Sequence, residues 1–145
     1  MMKRMMSLAL VLAFSLVMAG CAAMEAPVDE PLVNTYWKLT RLGETPVAVV
    51  DNQREAHLVL HEEDRRVAGS TGCNRLMGDY RLAGQALSFG QMATTRMACM
   101  AGMDTEQAFL AALDRVAAWD IEGKSLTLTD AQGEVVARFE AVHLY

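Results

Sequence analysis

Short segments of alternating apolar and polar residues, separated by turn-forming residues, constrain the fold of this chain more than any other feature. Leu58 and Leu60 alternate with His57, Val59 and His61, a period of two that is typical of a strand with one buried face. On this basis strands are predicted at residues 34–42, 46–50, 56–61, 66–71, 78–82, 86–89, 91–95, 119–121, 126–129 and 134–142. Strands this short and this close in sequence favour antiparallel pairing.

One segment late in the chain has a helical period instead. Its apolar side chains are Phe109, Leu110, Leu113, Val116 and Ala117. Their spacing predicts a helix over residues 105–118, and Asp104 with Gln107 matches a capping box at its start. The predicted fold class is therefore α+β: a small antiparallel, curved or barrel-like sheet with one amphipathic helix packed on it.

The N-terminal residues have the features of a secretory signal. Lys3 and Arg4 precede an apolar run at residues 7–17, and small residues lead into Cys21. A cysteine at this place is typical of a bacterial lipoprotein signal, in which Cys21 is lipidated and becomes the first mature residue. The alternative is an uncleaved membrane-spanning helix, which needs about 20 apolar residues and is longer than this run.

These features divide the chain into a signal peptide (residues 1–20), a lipidated tether (21–33) and a folded domain (34–145). The tether carries prolines and acids and shows no periodicity. Ala22, where inner-membrane lipoproteins have Asp, favours the outer membrane, with the domain in the periplasm. The predicted membrane contact is the lipid on Cys21.

The charge of the chain excludes one class of partner. The formal net charge is -5, and it becomes -7 when Lys3 and Arg4 leave with the leader. Nucleic-acid binding requires a basic surface, so no nucleic acid is expected as a partner.

Three motifs lie in the predicted domain: GSTGCN at residues 69–74, GDY at 78–80 and TRMAC at 95–99. Together they resemble the META domain family, and within it the HslJ-like heat-shock lipoproteins of bacterial envelopes, over about residues 34–142. The positions that carry the resemblance are Gly72, Cys73, Asn74, Gly78, Tyr80, Thr95, Arg96, Met97 and Cys99.

The resemblance implies a small β-rich fold with one helix against a curved sheet. It also implies a role in envelope stress response and antibiotic tolerance, with no enzymatic activity and no cofactor. The family's fold has been likened to secretion pilotin lipoproteins, which bind a hydrophobic partner segment. The expected partner is thus an unknown envelope protein or a hydrophobic ligand, held by a β surface or a cavity under the helix.

The sequence contains no nucleophile elbow, phosphate-binding loop or zinc-protease motif, so no catalytic residue is predicted. A non-enzymatic stress-response or binding module is the favoured function. The alternative is an inhibitor of a hydrolase such as lysozyme, in which residues 72–78 would form a loop that enters the catalytic cleft.

Cys73 and Cys99 form an even pair once Cys21 is committed to lipid. In an oxidising compartment such a pair favours a disulfide, which would stabilise the domain by roughly 3 to 4 kcal/mol through loop closure. The alternative is two buried free thiols.

A Cu(I)-binding protein is a further alternative, because Met97, Cys99, Met100 and Met103 are soft ligands at close spacing. Methionines near a helix start are more often packing residues, and a disulfide would remove the thiolate of Cys99. No metal site is therefore predicted.

Two other side chains attract attention. His57 and His61 could share zinc on a helix, but on a strand they are about 13 Å apart, so both are predicted to be solvated. Arg96 is predicted to be buried and paired with Asp79 or a loop carbonyl, with ligand recognition as the alternative.

Overall fold

The computed structural model describes residues 25–144, and these form ten strands and one helix. The strands are β1 (Tyr36–Leu42), β2 (Thr45–Pro46), β3 (His57–Leu60), β4 (Arg66–Ser70), β5 (Arg75–Ala83), β6 (Ala86–Phe89), β7 (Ala93–Thr94), β8 (Ala118–Glu122), β9 (Ser125–Thr129) and β10 (Val135–Val142). The helix is α1 (Met103–Asp114).

Eight of the strands close into an antiparallel barrel. Their order is β1-β3-β4-β5-β6-β8-β9-β10, and β10 pairs back onto β1. The two-residue strands β2 and β7 pair with β1 and β5. The predicted fold class, a barrel-like antiparallel sheet with one packed helix, is confirmed.

Alternate side chains on each strand point into the barrel and fill it. Trp37, Leu58, Leu76 and Leu128 are each at most 1% exposed, as period-two alternation requires. The register between β1 and β10 shifts at Leu39/Arg41, and a second shift lies between β10 and β9. Such bulges bend and twist strands, which is what lets a sheet curve until it closes.

The seam between β6 and β8 is the weakest part of the barrel wall. These strands pair at a single position, Ala86 with Ala118. Two backbone bonds flank it, from Leu87 N to Ala117 O (3.1 Å) and from Trp119 N to Gln85 O (3.0 Å). The Trp119 indole also donates to Gly84 O (2.9 Å), so a side chain completes the closure.

The helix closes one opening of the barrel. It contacts β1, β6 and β10, strands that lie on different sides of that opening. Phe109 and Leu113 are fully buried, and the Phe109 ring lies 6.0 Å from the Phe139 ring, centroid to centroid. Because these side chains fill the space beneath the helix, the expected cavity at that place is not where a ligand would lie.

The helix begins earlier than predicted, and the capping-box prediction is wrong. Gly102 occupies the N-cap position with φ 87°, and no side chain caps the helix. Asp104 lies inside the first turn. A residue with a side chain would be strained at Gly102, since a Cβ there would lie 2.9 Å from Gln53 Oε1. The chain therefore enters the helix through glycine.

Strand type was predicted better than strand length. Residues 56–61 form a strand and not a helix, as predicted. The predicted strand at 46–50 is wrong, because only Thr45–Pro46 pairs with β1. Strand β5 begins at Arg75, three residues before the prediction, since it continues the hairpin with β4.

Part of the predicted tether packs on the barrel. Leu32 is buried, and its carbonyl accepts a hydrogen bond from Trp37 Nε1 (2.9 Å). Glu30 N donates to Gly123 O (2.9 Å), and Asp29 Oδ1 accepts from Gly123 N (2.6 Å). The folded unit thus begins near Asp29.

The predicted signal peptide and Cys21 lie outside the described residues. Within residues 25–144, no helix is long and apolar enough to cross a membrane.

Candidate functional site

The first motif forms the end of β4 and the turn into β5. Gly69 lies against β3 so closely that a Cβ would be 2.0 Å from His57 O, so only glycine fits. Ser70 Oγ accepts a hydrogen bond from Gly72 N (3.0 Å). The turn then buries Cys73 and Asn74.

Asn74 connects the β4–β5 turn to the TRMAC motif. Its Oδ1 accepts hydrogen bonds from Thr95 Oγ1 (2.9 Å) and Met97 N (2.8 Å). Its Nδ2 donates to Met97 O (3.3 Å) and to Glu106 Oε2 (2.8 Å). The amide group therefore makes the four hydrogen bonds of which it is capable, and it has no capacity left for a ligand.

Glu106 is the acid that completes this network from the first turn of α1. It is 7% exposed, and its Oε2 accepts hydrogen bonds from Thr71 Oγ1 and Asn74 Nδ2. A carboxylate in the first turn also interacts favourably with the helix dipole. A buried acid that is hydrogen-bonded in this way serves as a structural tie.

Glu106 and Thr71 were not predicted as site residues. A signal for Glu106 was present, because it precedes Phe109 by one helical turn and so lies on the buried face of the helix. An acid on an apolar face requires a polar partner.

Cys73 and Cys99 form a disulfide, with their Cα atoms 6.0 Å apart. The alternative of two free thiols is wrong in this structure. The bond joins the β4–β5 turn to the segment that leads into α1, and Cys99 offers no thiolate to Cu(I). Met97 and Met100 are exposed, and among residues 25–144 no cluster of three or more His, Cys, Asp or Glu could hold a metal.

The GDY motif lies further along β5, apart from this network. Gly78 faces Met92, whose Sδ would be 2.5 Å from a Cβ at that position. Tyr80 is buried and its hydroxyl donates to His61 O (2.9 Å). Burial raises the pKa of Tyr80. Both residues have packing roles.

The prediction that Arg96 is buried and paired is wrong. Arg96 is exposed, and within the described chain it makes no ion pair with Asp79 or any other carboxylate. The TRMAC segment turns its backbone towards Asn74, which directs the arginine side chain outward. The motif thus supplies a buried backbone and an exposed cation.

Residues 72–78, which were expected to form a loop, form a short turn and the start of a strand. Residues 72–74 form a tight turn fixed by the disulfide, and Arg75 begins β5. Leu76 is 1% exposed. The extended loop that the inhibitor alternative assumed is therefore a short, disulfide-bound turn followed by a strand.

The two histidines differ in their surroundings, and only His61 is solvated as predicted. His57 is 6% exposed; its ring stacks on Tyr36 at 4.2 Å, and its Nδ1 donates to Glu55 O (3.0 Å). Burial lowers the pKa of His57. Burial, together with nearby Glu55, raises the pKa of Tyr36 to about 12.

The motif loop, residues 95–102, is the part of the chain that this arrangement presents to solvent. Its backbone is held at Met97 by Asn74, at Cys99 by the disulfide and at Ala101 by Gln53 Nε2 (2.8 Å). Arg96, Met97 and Met100 remain exposed. The site can therefore hold an exposed surface in one conformation.

The META domain sequence profile matches residues 30–143. A protein from Burkholderia xenovorans solved by NMR is similar in structure, with 31% identity, a TM-score of 0.63, and coverage of 78% of this chain and 85% of that one. A DUF4847 family protein from Bacteroides vulgatus ATCC 8482, solved by crystallography, shares the fold at 11% identity and a TM-score of 0.58, covering 75% and 93%.

No functionally curated protein matches the chain in sequence. The profile covers most of the chain, and the residues that it matches include the motif loop, the disulfide and the contact of Glu30 with Gly123. The chain therefore belongs to the META domain family.

Proposed function

We propose that this small META domain is an outer-membrane lipoprotein that acts in the periplasm as a non-enzymatic binding module of the envelope stress response. The observation that carries the proposal is the polar network. Asn74 bonds to Thr95, Met97 and Glu106, and Glu106 also accepts a bond from Thr71, and the result is a fixed, exposed loop. Because the polar groups of these side chains are bonded within the protein, they support the presentation of a binding surface and not a catalytic reaction.

Two further observations support the location. An apolar leader in the sequence ends at Cys21. The disulfide between Cys73 and Cys99 is of a kind that persists in oxidising compartments such as the periplasm. Among residues 25–144, the first to contact the barrel are near Asp29. The lipid would thus hold the domain close to the membrane.

The test compares three forms of the full chain in a bacterial strain that lacks the protein. The wild type should sediment with outer membranes, Cys21→Ser should be released, and Ala22→Asp, a matched lipidated control, should move to the inner membrane. Survival after heat or antibiotic exposure should be restored by the wild type and fall at least tenfold with Cys21→Ser.

Two outcomes would contradict the proposal. Cys21→Ser that still sediments with membranes would refute lipid anchoring. Released Cys21→Ser that restores survival as fully as the wild type, at equal abundance, would show that anchoring is not part of the function.

A further inference from the structure

Three arginines at one end of the barrel have no acidic partner. Arg54, Arg75 and Arg96 are all exposed. The ion pairs within residues 25–144 involve Lys38, Arg41 and His143 instead. In a chain of net charge -5, these three arginines make no ion pair within the described residues, so their guanidinium groups are available to the carboxylates of a partner.

Exposed apolar side chains lie in the same loop as Arg96. Met97 is 60% exposed and Met100 is fully exposed. Met97 lines a groove of about 290 Å³ together with Arg54, Arg75 and the disulfide. We call these five residues (Arg54, Arg75, Arg96, Met97 and Met100) the arginine–methionine face. Arginine is enriched at the energetic centres of protein interfaces, and methionine adapts its shape to apolar partners.

The face is fixed before any partner arrives. The disulfide, Asn74 and the bond from Gln53 to Ala101 O hold the motif loop at separate positions. Binding to a preorganised loop avoids the entropic cost of ordering it. Three separate attachments that hold exposed methionines in place are expected of a binding surface. A loop without a binding role would not need them.

The face lies at the opposite end of the barrel from the N-terminal segment. Strand β5 runs from Arg75, beside the face, to Ala83 at the far end. Strand β6 begins at that far end, and its Ala86 pairs with Ala118 of β8. Strand β8 then continues away from the face to the turn at Gly123. Asp29 and Glu30 are bound at Gly123, so the tether departs from the end that is remote from the face.

This placement favours a soluble occupant of the face over the anchoring membrane. A barrel of such strands is about 20 Å long, given a rise of about 3.3 Å per residue and a tilt of about 40°. Pro27 lies beside Gly123, and the six residues back to Cys21 reach at most about 20 Å. When the tether extends away from the barrel, the face is directed away from the lipid and towards soluble parts of the envelope.

We propose that the arginine–methionine face binds an acidic segment of another envelope protein. The partner's carboxylates pair with the three arginines, and an apolar side chain of the same segment lies against Met97 and Met100. Arginine and carboxylate pair in a bidentate geometry that adds specificity. This inference rests on the proposed function and adds the surface and the chemical class of the partner.

The test is site-specific photocrosslinking in living cells with the full chain. A photoreactive benzophenone amino acid replaces Met100 in one strain and exposed Gln85, at the far end of the barrel, in another. Each is combined with R54Q/R75Q/R96Q or with R66Q/R81Q/R115Q, a control that removes the same charge from exposed positions elsewhere. Crosslinked peptides are identified by mass spectrometry.

We expect the Met100 position to capture a segment with net negative charge. The yield should fall at least tenfold with R54Q/R75Q/R96Q and less than twofold with R66Q/R81Q/R115Q. If the triple variant does not accumulate, R96Q alone, at one exposed position of the loop, should lower the yield at least threefold.

The other outcomes overturn the inference in distinguishable ways. Equal loss in both triple variants would indicate general charge attraction, and crosslinks to lipid, to a second copy or to a segment that is not acidic would show a different occupant. Capture from Gln85 alone would refute the face but keep the binding module. Capture from neither position would refute the binding module itself.

Discussion

At the scale of single residues, the role of each motif side chain depends on whether it is buried with hydrogen-bond partners or exposed. Asn74 and Glu106 are among the few buried polar residues of the described chain, and each has hydrogen-bond partners. Arg96, in the middle of TRMAC, is exposed. A family motif thus contains both the residues that hold the loop and the residues that the loop displays.

Removal of the Glu106 carboxylate should destabilise the domain. Glu106→Ala removes the buried acceptor of Thr71 Oγ1 and of one N–H of Asn74 Nδ2; only the longer bonds to Asn74 O and Met97 O (both 3.3 Å) remain, and each such loss costs about 1–3 kcal/mol. We expect the free energy of unfolding in urea to fall by about 3 kcal/mol. Gln107→Ala, on the exposed side of the same helix, should change it by less than about 0.5 kcal/mol. Equal values for the two variants would refute the structural role of Glu106.

His57 should make the stability of the domain depend on pH. Burial holds the folded pKa of His57 below the ordinary value of 6.5, so below pH 6.5 the unfolded chain binds more protons than the folded one. Stability should therefore fall as the pH decreases from 6.5 to the folded pKa, and this contribution should not fall further below it. Urea unfolding at several pH values between 7.5 and 4.5 measures it.

His57→Phe keeps a ring against Tyr36 and removes the titrating group. The variant should lose less stability than the wild type over this pH range. His61→Gln, at an exposed histidine, should follow the wild type. If His57→Phe also follows the wild type, His57 is not the source of the pH dependence.

At the scale of elements, the motif loop is tied by two means that differ in chemistry. The disulfide closes a loop with a sequence separation of 26, which corresponds to about 3.5 kcal/mol on the chain-entropy model. We expect Cys73→Ala with Cys99→Ala to lower the free energy of unfolding by about 3 kcal/mol. Reduction of the wild type with dithiothreitol should have the same effect, and no change in either experiment would contradict the prediction.

The two ties should also be coupled, because both act on residues 97–99. In a double-mutant cycle, Asn74→Ala combined with loss of the disulfide should differ from the sum of the separate effects by at least about 0.5 kcal/mol. Asn74→Ala combined with a variant at a distant position such as Leu32→Ala should be additive. Additivity in both cycles would show that the ties act independently.

The elements that the sequence predicted correctly are those with a strong local signal. The alternation at β3 and the turn residues between β5 and β6 placed β3 and the hairpin end of β5 and β6 within a residue or two, although β5 begins three residues before its predicted start. The predicted start of α1 was wrong because the N-cap is Gly102, which fits there through its backbone conformation and its small size beside Gln53. A contact made across the fold leaves no periodic trace in the sequence.

At the scale of the whole molecule, closure of the barrel is the property that local patterns could not specify. A curved or barrel-like sheet was predicted, but not the pairing of β10 with β1 or the single-pair seam between β6 and β8. These pairings join strands that are far apart in the chain, and they depend on register shifts in β1 and β10. The disulfide was predictable because its argument was cysteine number and compartment, not geometry.

The same limit applies to the boundary of the domain. Residues 25–33 have no periodicity, and they were predicted as tether. The structure packs the second half of this segment against the end of the barrel, where Leu32 is buried and Thr35 Oγ1 donates to Pro31 O (2.6 Å). One buried leucine among polar residues and prolines gives too weak a pattern to be recognised in advance.

The stability of the domain should therefore depend on where the chain begins. A soluble chain that starts at Asn34 loses the buried side chain of Leu32, a loss of the size seen in Leu→Ala substitutions, about 2–5 kcal/mol. It also leaves the indole N–H of Trp37, whose acceptor is Leu32 O, without a partner in the core.

We expect the free energy of unfolding to be at least about 3 kcal/mol lower than for a chain that starts at Val28. Val28 is 91% exposed, and the longer chain keeps every contact of residues 29–33. Leu32→Ala in the longer chain should account for most of the difference. Equal stability of the two chains would mean that the segment rests on the barrel without stabilising it.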